Sequence, residues 1–441
     1  MLTNIASIIV VLGVLIFFHE LGHFLVARIF GVGVEKFSLG FGPKIFGKTV
    51  GMTEYRVSAI PLGGYVKMVG ESHDAEVSDH ELSLSFTHKP VWQRILIVAA
   101  GPFFNLVLAV LIYAGLAGVY GASGLAPVVK AVEPGFAAFE AGLARGDRIV
   151  RVEKKRVVLW SDVTEEVEKS GGKPLTLAID RGGFEKKVRL TPTPFPGKNI
   201  FGEEIPSWSL GIHVTEPVIG VVQKGSPAEE AGVKVMDRFL SADGVPLYTW
   251  EDVVKAISGS KGKPVQLEIQ RGEEVLTLSL SAKQLDEDKS RWRIGIGSHF
   301  NEEDVLTKEL GFFGSLHAGF QKTWYLGKLM VVGIVKMVQG RIAPDLGGPI
   351  IISKMAGDQA RVGIASLISF IAFISINLAI LNFLPIPVLD GGHLLFFTIE
   401  WIMGRPVSEK VMEAANKVGI FILMTLMFYF FYSDIMKTVF K

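Results

Sequence analysis

His19-Glu20-Leu21-Gly22-His23 closes a run from Ile5 to Phe18 that carries no charge, and apolar residues resume from Phe24 to Ala27. On a helix, side chains four positions apart share a face, so this spacing presents two imidazoles to one point. Two neutral imidazoles suit Zn²⁺, and Glu20 beside them is the group to take a proton from a water made acidic by the metal. Ionisable side chains at membrane depth are costly and mark function. The plainer alternative, two core histidines satisfied by backbone, leaves Glu20 without a purpose. A hydrolytic zinc takes three protein ligands and keeps one position open. The chain has no cysteine, so the third ligand must be His, Asp or Glu. Between Asn377 and Gly392 two prolines, Pro385 and Pro387, break an apolar helix, and Asp390 is the sole carboxylate there. His393, three residues further on, is the other candidate in this stretch; the remaining histidines lie mostly in polar sequence. Pro-x-Pro followed by Asp-Gly-Gly also reads as an ordinary helix exit turn.

The elements that must position these groups are apolar and unevenly spread. Hydrophobic residues make up 49% of the 441, and the mean hydropathy of +0.39 is high for a wholly soluble protein. They gather toward both ends. A net charge of +1 points to neither nucleic acid nor an acidic substrate. Four spanning helices are expected, over about Thr3 to Phe30, Val91 to Val119, Ile364 to Leu384 and Ala414 to Tyr432. The first carries no Lys or Arg before it, and Arg28, Lys36, Lys44 and Lys48 follow it. That is the wrong order for a secretory signal, and it turns the N-terminus away from the cytoplasm. The section between the second and third spans then lies outside the cytoplasm.

Between the first two spans, Phe37 to Val69 reads as strands punctuated by Gly63-Gly64, either dipping toward the membrane or forming a cytoplasmic hairpin. The centre holds an internal repeat of ninety positions. Ala141-Gly142-Leu143 returns as Ala231-Gly232-Val233, Asp147-Arg148 as Asp237-Arg238, Trp160 as Trp250, Gly172-Lys173-Pro174 as Gly262-Lys263-Pro264, and Arg181-Gly182 as Arg271-Gly272. Two copies are tandem domains rather than a solenoid. Trp324 to Val338 is apolar but broken by Lys328 and Lys336, and reads as an amphipathic helix at the outer interface, with a fifth span as the alternative.

Taken together, these motifs resemble the site-2 protease family of intramembrane zinc metalloproteases, in its regulator of sigma-E protease branch. The likeness rests on His19-Glu20-x-x-His23, on Gly101-Pro102 with Asn105 in the second span, and on Asn377, Asn382 and Leu389-Asp390-Gly391 in the third. It implies a polytopic α-helical membrane protein with a membrane-associated β-loop and two tandem PDZ-like α+β domains. The implied division is 1–119 (two spans around a β-loop at 37–69), PDZ-like domains at 124–198 and 209–285, an outer connector at 286–363, and two spans at 364–441. It implies one zinc per chain held by His19, His23 and Asp390, with Glu20 as the catalytic carboxylate. Asn377 and Asn382 match positions that accommodate substrate, and the β-loop, with Tyr65, is expected to pair with an extended substrate. Gly220 falls in the expected carboxylate loop of the second PDZ-like domain, and the first has no glycine there. The implied activity is cleavage of transmembrane segments in single-pass proteins of the bacterial inner membrane, a trimmed anti-sigma factor and remnant signal peptides among them, with the PDZ-like domains periplasmic. The alternative is a membrane-tethered PDZ scaffold with a vestigial metal site.

Overall fold

The computed structural model of the chain describes residues 2–71, 81–201, 203–284, 292–299, 301–342 and 348–439. It divides into two compact units, one built from residues 1–121 and 310–441, the other from 122–309.

In the first unit, helix α1 (Leu2–Ile29) is followed by strands β1 (Val34–Val50) and β2 (Thr53–Met68), and then by helix α2 (Val91–Tyr120). The strands are long and sharply bent. Leu39 pairs with Gly64 on one side and with Val57 on the other, so the hairpin curls back on itself. Positive φ at Gly40 and Gly42 permits the bend.

The second unit opens with β3 (Ala122–Leu125). The first repeat follows as β4 (Ala131–Val132), α3 (Ala137–Glu140), β5 (Arg148–Val152), β6 (Lys155–Arg156), α4 (Trp160–Ser170), β7 (Leu175–Arg181) and β8 (Phe184–Leu190). A hairpin of β9 (Thr193–Lys198) and β10 (Glu204–Ser209) leads to β11 (Ile212–His213). The second repeat is β12 (Ile219–Val222), α5 (Pro227–Glu230), β13 (Arg238–Ala242), β14 (Val245–Pro246), α6 (Trp250–Gly259), β15 (Pro264–Arg271), β16 (Glu274–Ser281) and β17 (Ile296–Ser298). Strand β18 (Val305–Lys308) returns to pair with β3.

The two repeats have equivalent four-stranded sheets, in the orders β6-β5-β7-β8 and β14-β13-β15-β16. Their shared residues make the same bonds. The Arg181 guanidinium donates to the Asp147 carboxylate at 2.6 and 2.7 Å and to the Gly142 carbonyl at 2.8 Å. Arg271 does the same with Asp237 at 2.8 and 2.7 Å and with Gly232 at 2.7 Å. Gly172 and Gly262 both sit at positive φ against an indole ring, that of Trp208 or Trp292. The spans 124–198 and 209–285 expected for the repeats need correction. Strand β11 pairs with β4 and β17 with β12, so each repeat is closed by a strand beyond its expected end. Strands of two or three residues carry no alternating pattern by which sequence could reveal them.

The rest of the first unit comprises α7 (Phe312–Val338), α8 (Pro349–Val362), α9 (Ile364–Phe383), α10 (Asp390–Met403) and α11 (Glu409–Val439). Among the described residues four helices are long and apolar enough to cross a membrane: α1, α2, α9 and α11. The segment expected to be helical, Trp324 to Val338, is the second half of α7, which packs along α2. A Cβ on Gly319 would lie 2.6 Å from the Val110 carbonyl and the Ala114 amide, and Gly327 faces Ile376 of α9. Small residues on one helix face let backbones approach this closely, which composition alone does not reveal. Helix α8 has no counterpart among the elements expected from sequence. The fully buried Asp434 of α11 caps it, accepting from the amides of Gly348, Ile350 and Ile351 at 2.8, 3.0 and 3.1 Å. Of the expected connector 286–363, residues 286–291, 300 and 343–347 lie outside the described residues.

Candidate metal centre

Helix α1 carries His19 and His23 one turn apart, on the side that packs against α2. The contact is close because it is made by glycines. A Cβ on Gly22 would lie 2.3 Å from the Ala100 carbonyl, and one on Gly101 would lie 2.3 Å from His23 Nε2. The third member arrives from α10. The chain leaves α9 through Leu384, turns at Ile386 to Leu389 with Val388 at φ +85°, and starts α10 on Asp390. A β-branched residue at positive φ is strained, and such strain persists where the surroundings over-determine it. Here they do: a Cβ on Gly391 would lie 2.0 Å from the Leu384 carbonyl, and one on Gly392 2.5 Å from that of Ile386. Gly419 of α11 closes on Pro387 from outside.

The three groups converge. His19 Nε2 is 3.3 Å from His23 Nε2 and 3.2 Å from Asp390 Oδ2, and His23 Nε2 is 3.6 Å from Asp390 Oδ1. Ligands about 2.0–2.1 Å from a tetrahedral zinc stand roughly 3.3 Å apart, so the cluster has the dimensions of a zinc site. Asp390 Oδ2 is buried and makes no hydrogen bond among the described residues, which is unfavourable for a carboxylate unless a cation is the partner. The second shell agrees. His23 Nδ1 donates to the Ile97 carbonyl at 2.9 Å, which leaves Nε2 as the lone pair facing the cluster. His393 is not in this group; its ring lies 6.5 Å from that of Phe397. His73 and His80 lie outside the described residues.

Glu20 is buried beside the pair, and the β1–β2 hairpin reaches it, with a Cβ on Gly64 lying 3.0 Å from Glu20 Cγ. Tyr65 is turned elsewhere: its hydroxyl bonds to the Arg56 guanidinium and its ring stacks on Phe41 at 6.1 Å. Asn377 donates to the Phe373 carbonyl of its own helix at 2.8 Å, and Asn382 is half-buried near the end of α9.

Other residues that hold the site had not been singled out from sequence. Arg94 at the start of α2 forms a two-pronged ion pair with Glu400 of α10 at 2.6 and 3.1 Å, and covers the Phe397 ring at 4.9 Å. Ser375 of α9 donates to the Asn105 carbonyl at 2.7 Å. The available signal was a charge, Arg94 or Glu400, inside an apolar stretch.

In the unit 122–309, a groove of about 610 Å³ opens between α6 and β17, lined by Trp250, Val254, Ile257, Trp292 and Gly297 among others. Gly220, expected in a loop there, lies within β12 and faces His299 across the strand pair.

Known proteins bear on this arrangement. Residues 7–426 match the description of peptidase family M50. The chain is 38% identical over 442 residues to the regulator of sigma-E protease RseP of Escherichia coli K12, covering 97% of each chain. It is 34% identical over 456 residues to a protein of Neisseria meningitidis serogroup A named as a zinc metalloprotease, covering 99% of each. Among solved structures, the PDZ domain of an SdrC-like protein from Listeria monocytogenes matches 20% of this chain and 92% of its own, at 18% identity and a TM-score of 0.18, too slight to bear on the fold. Similarity that spans nearly the whole of both chains, at identities above one third, shows that this zinc metalloprotease belongs to peptidase family M50.

Proposed function

We propose that the chain cleaves transmembrane segments of single-pass proteins within the bacterial inner membrane, using one zinc held by His19, His23 and Asp390. The observation that carries this reading is the convergence at tetrahedral spacing, beside Glu20, of His19 and His23 on α1, a helix long and apolar enough to span a membrane, with Asp390 at the start of α10. Zinc bound there supplies Lewis acidity, polarising a scissile carbonyl and acidifying water. Glu20, held next to the ligands, takes the proton from water and returns it to the leaving amine.

A helical substrate hides its carbonyls in its own hydrogen bonds, so a stretch must unwind before it can be cut. The hairpin backbone beside Glu20 can repay the lost bonds by strand addition. Its far end supports contact with lipid: Ile45 and Phe46 are 65% and 64% exposed, interleaved with Lys44 and Lys48. Tyr65 fits a role in shaping that surface, and Asn377 and Asn382 fit one in holding substrate amides freed by unwinding. The repeats are read as two PDZ-like domains on the periplasmic side, the second taking a peptide end in the groove beside α6. A trimmed anti-sigma factor and remnant signal peptides are the substrates proposed, following the family resemblance of the sequence motifs.

The test uses the purified chain and a single-pass reporter in detergent. Cleavage should stop on adding a zinc chelator and return with zinc. Glu20→Gln should abolish cleavage while the measured zinc stays near that of the unaltered chain. Turnover near wild type in that variant would remove Glu20 from the chemistry.

A further inference from the structure

His23 has its tautomer set by a backbone carbonyl, and His19 needs an equivalent that no backbone group supplies among the described residues. His19 Nδ1 lies within hydrogen-bond distance of the side-chain amide of Asn105, with Nδ2 at 3.4 Å. Asn105 is fully buried, and its Oδ1 makes no hydrogen bond among the described residues. The ring chemistry decides which end of the amide belongs there. If the amide donates, Nδ1 must accept, and the proton of a neutral imidazole moves to Nε2. That proton then points into the cluster shared with His23 and Asp390, where a metal needs a lone pair. If the amide oxygen accepts, Nδ1 carries the proton and Nε2 is bare. A half-turn of the amide exchanges the two ends without changing its shape.

We propose that Asn105 is a positioning residue for the zinc site: its side-chain oxygen accepts from His19 Nδ1–H and holds His19 Nε2 as the metal-facing lone pair. This rests on the reading of His19, His23 and Asp390 as ligands. Both histidines then donate through Nδ1 to α2, one to the Ile97 carbonyl and one to Asn105, eight residues further along that helix. The amide itself is held in place. Its residue's backbone carbonyl accepts from Ser375, which is also fully buried, so α9 sets the depth of Asn105 against α1.

The test measures zinc affinity of the full chain by competition with a chelator. Asn105→Leu keeps the branched shape and removes both polar ends, and Asn105→Asp keeps only acceptors. Asn105→Leu should weaken zinc about 10- to 100-fold. Asn105→Asp should stay at wild-type affinity or tighter, because an acceptor is all that His19 requires. If Asn105→Asp weakens zinc as much as Asn105→Leu, the amide donates and the proposal is overturned. If neither variant moves zinc affinity but both lower the melting temperature of the zinc-free chain, Asn105 only packs the helices, and the proposal again falls. His19→Ala and Asp390→Ala serve as controls. Should they leave zinc binding intact, the ligand assignment is at fault rather than the role of Asn105.

Discussion

Gly101 is as necessary to the cluster as its ligands, because the space its missing side chain leaves is where the two imidazoles sit. A Cβ there would lie 2.3 Å from His23 Nε2 and 2.8 Å from His19 Cε1. The His23 ring is held against this position, since its Nδ1 is also bonded to the Ile97 carbonyl. Gly101→Ala should therefore lower zinc affinity by about tenfold or more, the scale seen when a ligand's support is lost, as a chelator titration would measure. Asp390→Asn should lower both zinc content and cleavage, since a neutral amide oxygen is a poorer ligand than a carboxylate. His393→Ala should leave zinc content unchanged, and the reverse pattern would name His393 the third ligand.

At the scale of elements, α10 must be held so that its first residue meets α1. It is gripped at both ends. The turn from Leu384 to Leu389 seats Gly391 and Gly392 against backbone, and Arg94 secures Glu400 to α2. The Arg94 and Glu400 side chains are 8% and 12% exposed, so removing one strands the other charge. Arg94→Ala or Glu400→Ala should cost roughly 3 kcal/mol in thermal or denaturant unfolding. The exchange Arg94→Glu with Glu400→Arg should recover part of that loss. If the exchange is no better than the single variants, the pair does not join the helices.

At the scale of the whole molecule, the repeated unit offers a prediction about pH. Burial alone would raise the Asp147 and Asp237 carboxyls, but the guanidiniums of Arg181 and Arg271 and the amides of Ala144 and Lys234 outweigh it and hold both below the ordinary carboxylate value. The stability this adds is complete above about pH 4, the unfolded value, and is lost as pH falls through the lower folded values. Hydrogen exchange in β5 and β13 should thus rise steeply with acid below that point, beyond the intrinsic change, and Asp147→Asn should flatten the response in β5 alone. A second prediction follows from the insertion of the repeats between two spans. Replacing Val128 to Leu280 with a flexible linker should release cleavage of an untrimmed single-pass substrate while a trimmed one is still cut, if the repeats exclude bulky partners. Loss of cleavage of the trimmed substrate would make them recruiters instead.

Much of this is legible in the sequence alone, because local constraints write themselves into adjacent residues. Helical spacing put His19 and His23 on one face, hydropathy marked the spans, and the ninety-residue period announced the repeats, in which Asp147 and Arg181 recur as Asp237 and Arg271. The strands β11 and β17 that close the repeats, the place of α7 beside α2, and the separate helices α8 and α10 were not legible. Nor were Arg94, Glu400 and Ser375 as parts of one site, and Gly101 and Asn105 were marked by the family motif without a physical role. Sequence records what each residue is and what its near neighbours are. Which glycine leaves room for an imidazole, and which carboxylate answers an arginine 306 positions away, depends on close approach between distant segments, and only the packed helices decide that.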